Sequence, residues 1–152
     1  MLDFDLLERV FVERVESLKV LVEVNNTPTQ MPIDNTPSCS VWFGGAPPVP
    51  GQYETTKALA RAPRRVTVHT LLFLPDFYYQ DGKSQKLKVL QVVATALNGW
   101  QPPCTGCTQS AVVNPYWDGF EDSEVINYMV QAVIDVFPEN FRRNNCSEEV
   151  FL

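Results

Sequence analysis

At 152 residues with 45% apolar side chains, the chain is long enough to bury a sizeable core without help from metals or disulfides. A formal charge of −6 argues against a dedicated nucleic-acid binder, because phosphate contacts need clustered Lys and Arg. No window approaches the roughly 18 consecutive apolar residues of a membrane span. The start, Met1-Leu2-Asp3-Phe4-Asp5, lacks the basic region of a secretory signal, so a soluble protein made in a cytoplasm is expected.

Charge is unevenly spread. Residues 61–100 carry six bases against two acids, whereas residues 1–24 and 101–152 are acidic. Unlike blocks of this kind suit head-to-tail contacts between identical subunits. The competing reading is that folding intermixes them on a solvated surface.

Leu7, Phe11, Val15, Leu18 and Val22 recur at spacings of three and four, which predicts an amphipathic helix over 6–19 with Asp5 as its N-cap. Val20, Val22 and Val24 then alternate with Leu21 and Glu23, so a strand is expected to take over near Lys19. Residues 25–52 form a Pro-rich loop. Pro28, Pro32, Pro37, Pro47, Pro48 and Pro50, with Gly44, Gly45 and Gly51, forbid a long regular element there. Ser40-Val41-Trp42-Phe43 is a short strand within it. Ordering so long a loop costs entropy, and wrapping a neighbouring chain is one use that would justify it.

Residues 65–74 are the clearest strand. Val66, Val68, Thr70, Leu72 and Leu74 share one face, and the far half is apolar on both faces, as a central strand requires. Pro75 ends it and Asp81-Gly82 marks a turn. A second helix follows over 84–98, capped by Ser84, with a buried stripe of Leu87, Leu90, Val93, Ala94 and Leu97 and with Gly99 at its C′ position. Residues 110–113 read as a strand. Residues 125–137 fit either period, and β-branched and aromatic enrichment favours a strand. The polar tail, 142–152, is expected to be loose or docked on a partner. The resulting fold class is α+β: a single domain (1–152) with a mostly antiparallel or mixed sheet and two helices packed on one face.

Chemistry is sparse. Of the four cysteines, only Cys104 and Cys107 have ligand-pair spacing, while Cys39 and Cys146 stand alone; a zinc or redox site is the weaker alternative to reduced thiols. His69 is the one histidine and lies mid-strand with no nucleophile motif beside it, so no catalytic residue is assigned and no enzyme activity is expected. No phosphate loop or calcium loop is present, and no cofactor is expected. Asp118, Glu121, Asp122 and Glu124 read as a charge-rich loop. Arg61, Arg64 and Arg65 are the basic cluster, placed either on a solvated strand entrance or against an acidic partner.

The order of elements, with "VWFGG", "RRVTVHTLLFL", "VLQVVATALNGWQP" and "EVINYMVQAVIDVF", resembles the tail terminator (tail completion) proteins of long-tailed bacteriophages, particularly the small terminators of contractile-tailed phages. The sharpest likeness spans residues 65–102; the Cys104/Cys107 pair and the Cys-bearing tail depart from the family pattern. The resemblance implies a homo-oligomer, typically a hexameric ring, at the tail–neck junction of a virion. Such a ring caps the head-proximal end of the tail tube, stops tube and sheath growth, and offers a face to neck and connector proteins, with DNA only as cargo passing through the lumen. Under that reading the interface residues are Arg61, Arg64 and Arg65 on the pore or a neighbouring subunit, Trp42 and Phe43 beside the wrapping loop, and Glu121, Asp122 and Glu124 at a subunit contact. The alternatives are another neck or tail ring component, such as a stopper or tube protein, or a small Cys-based protein.

Overall fold

The computed structural model describes residues 3–26, 36–52, 55, 58–59, 61–75, 83–113, 120–122 and 125–144. Helix α1, Phe4–Ser17, starts one cap earlier than its periodicity suggests: Asp3, not Asp5, caps it, accepting from the Leu6 amide. Its buried face is Leu7, Val10, Phe11 and Val15. Leu18 is half-buried and still packs against the core, whereas Val22 is 60% exposed, so the expected stripe ends at Leu18. The strand expected from Lys19 is also corrected. Lys19 takes the left-handed conformation at φ 56°, turning the chain, and β1 is confined to Glu23–Asn25.

Strands β2 (Ser38–Phe43) and β3 (Arg64–Pro75) pair antiparallel, with Trp42 opposite His69. Helix α2, Lys83–Leu97, begins just before the expected Ser84 cap and ends with Gly99 at φ +75°, the left-handed residue that stops a helix. Four short strands follow or flank: β4 (Cys104–Thr105), β5 (Ala111–Val112), β6 (Phe120–Asp122) and, near the end, β8 (Arg142–Arg143). The ambiguous late segment is a strand, β7 (Val125–Val136), and it pairs with β3 along its whole length from Arg64↔Val136 to Pro75↔Val125.

The main sheet runs β1-β2-β3-β7-β5, with β6 also on β7; among the described residues the β1–β2 pairing is parallel and the others antiparallel. β4 and β8 make a separate two-stranded sheet, so the start of the tail is ordered rather than loose. Its remainder, with Cys146, lies outside the described residues, as do Pro28, Pro32, Asp81-Gly82 and Glu124. Both helices pack on one face of the main sheet. Leu7, Phe11 and Val15 from α1 and Leu90, Val93 and Leu97 from α2 meet Val66, Val68, Leu72, Leu74, Val130 and Ile134 in one core cluster. Each such side chain contributes about 1.5–3 kcal/mol relative to an exposed one.

Part of the Pro-rich loop is tied to the sheet. The Gly44 amide donates to the Thr67 carbonyl at 3.0 Å, Arg65 to Pro47 at 2.8 Å and Val49 to Pro63 at 2.8 Å, so residues 44–49 run back along the start of β3. Prolines suit this irregular edge because the pairing it makes uses few of their missing amides.

Candidate functional site

With both helices on one side, the opposite face of the sheet is where a partner can reach the strands. Along β3 this face carries Arg65, Thr67, His69, Leu71 and Phe73, since Val66, Val68, Thr70, Leu72 and Leu74 are fully buried under the helices. The register aligns Trp42, His69 and Gln131 as one row across three strands, and Ser40, Leu71 and Met129 as the next. Trp42, His69, Leu71, Met129, Gln131 and Val133 are all half-buried.

The central row is tightly built. The Trp42 and His69 rings stack at 5.3 Å with 25° between planes. The Gln131 side-chain amide nitrogen lies 3.2 Å from His69 Nδ1, an arrangement in which a neutral imidazole with an unprotonated Nδ1 accepts its hydrogen bond. Burial lowers the His69 pKa from its ordinary 6.5, in the same direction. Gly44 lies against Nε2, where an added Cβ would sit 2.5 Å away. On the buried side of the same strand, Thr70 Oγ1 has no hydrogen-bond partner among the described residues.

Trp42 and Phe43, paired in the sequence reading, point to opposite faces. Phe43 lies opposite Val68 on the helix side and meets the Phe4 ring at 6.0 Å, closing the core beneath the start of α1. The arginine cluster is divided as well. Arg65 makes a two-pronged pair with Asp135, Nε to Oδ1 at 2.9 Å and a terminal nitrogen to Oδ2 at 3.2 Å. That carboxylate raises the Arg65 pKa further, first through the hydrogen bond and then through its charge. Arg61 pairs with Glu139 at 3.3 Å, both largely exposed. Arg64, on the helix side, makes no ion pair among the described residues. Beside the Arg65–Asp135 pair lies a groove of about 390 Å³ that includes Thr108, Ala111, Val113 and Val133. Glu121 and Asp122 are on β6 opposite Ile126 and Val125; the placement of their side chains, like all of Glu124, lies outside the described residues.

Among the described residues, Cys39 lies apart from Cys104 and Cys107. Cys39 is buried in the main core and its thiol pKa is raised strongly by burial. Cys104 and Cys107 flank Gly106, and Cys107 Sγ donates to the Cys104 carbonyl at 3.8 Å. Burial also raises Cys104, with Arg143 pulling the other way, and pushes Cys107 up to about 11. All three are free thiols, protonated at neutral pH, the opposite of what redox chemistry needs. Among the described residues, no group of three or more His, Cys, Asp or Glu is placed to hold a metal ion. The Cys104–Cys107 turn instead anchors β4 to β8, which Arg143 ties to Glu13 of α1 at 3.0 Å.

The sequence reading missed the Trp42–His69–Gln131 row and the Arg65–Asp135 pair. The signal available was alternation alone, which puts His69 and Arg65 on one face without naming their partners on other strands.

Compared with known proteins, the chain matches no family model and no curated protein.

Proposed function

We propose that the chain is a structural virion protein that caps the head-proximal end of a phage tail tube as a ring, ending tail growth and offering a docking face to neck proteins. One observation carries this reading. A one-sided antiparallel sheet normally turns polar side chains outward, but here Trp42, Leu71, Met129 and Val133 lie among the polar residues of the outward face. Ser38, Ser40 and Phe73 at one end of this face are buried, and the half-buried aromatic and aliphatic side chains over the rest of it are what a docking surface needs. The sequence likeness over residues 65–102 covers the central strand, which supplies the middle of this face, and the helix α2 that packs behind it on the other side.

A growing tube end exposes loops and strand edges that template the next ring. A terminator occupies them and presents no equivalent upper face, and subunits related head to tail close into a ring. Tails assembled in a host lacking this protein are expected to be over-long or headless when imaged. Tails of normal length with heads attached would overturn the proposal.

A further inference from the structure

A groove of about 500 Å³ runs between α1 and β1 and is lined by Asp5, Glu8, Arg9, Val12 and Val24, among others. Its acids outnumber its base, and among the described residues neither Asp5 nor Glu8 has an ion-pair partner. On the other side of α1, the outward side of α2 presents Lys88, Gln91, Val92 and Thr95, all exposed, with Val92 at 40%, where they border a shallow hollow of about 620 Å³ against Arg14 and Leu18 of α1. Of the lysines on α2, Lys86 is fully buried, so Lys88 is the described charged side chain on this surface; it is likewise without an ion-pair partner among the described residues.

The two surfaces share a spacing. Glu8 and Val12 are four residues apart on α1, and so are Lys88 and Val92 on α2. Each pair is therefore separated by about 6 Å of helix rise. A parallel alignment sets Lys88 against Glu8 and Val92 against Val12 at the same time, with Val24 forming the groove's far wall. We infer that the Lys88–Val92 ridge of α2 docks into the α1–β1 groove of a second copy of this chain. The pairing matches opposite charge to opposite charge and apolar to apolar, and it uses groups left unmatched within one chain. Ridge and groove are different surfaces, so the contact is head to tail and a pair of copies still has one ridge and one groove free to continue the series. That the series closes into a ring rests on the function proposed above; the contact itself does not.

The test is self-association of the full chain, measured by light scattering and sedimentation over a concentration series, with circular dichroism confirming folding. Glu8→Lys and Lys88→Glu place like charges in contact, and each should weaken association about tenfold or more. Combining them restores the opposite-charge pair and should return association to within about threefold of the original. Single variants that associate normally, a combined variant that stays dissociated, or an original chain that is monomeric at every concentration would each overturn the contact. A ring insensitive to both substitutions would remove the contact and leave the proposed function standing. An open filament abolished by each single substitution would keep the contact and remove the ring.

Discussion

The Trp42–His69–Gln131 row depends on a residue that contributes no side chain. Gly44 is held by the hydrogen bond its N–H donates to the Thr67 carbonyl, and the His69 ring fills the space where a Cβ would be, with its Nε2 2.5 Å from that position. An imidazole tip can often swing away from such a clash, but this one is stacked on Trp42 and bonded to Gln131. Gly44→Ala is therefore expected to cost about 1–3 kcal/mol, the range for overpacking a close-fitted site. The cause can be isolated: with His69→Ala already present the clash is gone, and adding Gly44→Ala should then change stability by less than about 0.5 kcal/mol. Urea unfolding of the four variants measures this cycle. Equal costs for Gly44→Ala in both backgrounds would mean that backbone conformation, not His69, sets the requirement for glycine. None of this row could be read from the sequence. Gly44-Gly45 reads as a turn signal, and His69 as a lone mid-strand histidine, because their partners lie on strands that only folding aligns.

Strand β3 holds the fold together because it is covered by helices on one face and paired on both edges, by β2 and β7. The energetic contrast between its two faces is large. Leu72 is fully buried, and Leu72→Ala should cost about 2–5 kcal/mol through lost transfer energy and the cavity left behind. Arg65 sits on the outward face with a partly exposed partner, and Arg65→Ala should move the midpoint far less than Leu72→Ala despite the two-pronged geometry, because solvent screens the pair. Denaturant midpoints of the two variants test the assignment of faces; comparable losses would contradict it. This strand was legible because a twelve-residue element repeats its alternation often enough to outweigh noise. The late strand β7 was legible for a different reason, its β-branched and aromatic content. The valine run at 20–24 misled because alternation records a preference and not a partner: β2 meets only Glu23–Asn25, and Lys19 turns the chain before them. The strands β4 and β8 are two residues each, too short to leave any periodic signal. Of the proposed site, the face of β3 was readable, whereas the Arg65–Asp135 link spans 70 positions and had no local trace.

At the scale of whole molecules, two electrostatic effects oppose each other when copies of this chain meet, and their ranges differ. Each copy carries a net −6, which repels another copy over long distances. At a centre separation of roughly 30 Å, set by the size of a chain this long, that repulsion is about 5 kcal/mol unscreened and only about 0.3 kcal/mol at 0.1 M salt. The proposed Glu8–Lys88 contact acts at roughly 4 Å, where attraction is about 1–4 kcal/mol and salt near 0.1 M screens it only partly. Raising sodium chloride from about 0.01 M to 0.1 M should therefore tighten self-association by removing repulsion. Raising it further to about 1 M shortens the screening length to roughly 3 Å and should loosen association by weakening the contact itself. Folding should respond far less, because the core is apolar and the ion pairs within the described residues are exposed ones worth at most about 1 kcal/mol each. Sedimentation across the salt series, with unfolding midpoints in the same buffers, reads both quantities. An association maximum near 0.1 M salt that disappears in Lys88→Glu ties the attraction to that lysine. Steady tightening up to 1 M would mean that copies meet through apolar surface alone, such as the outward sheet face around Leu71 and Met129, and not through the α2 ridge.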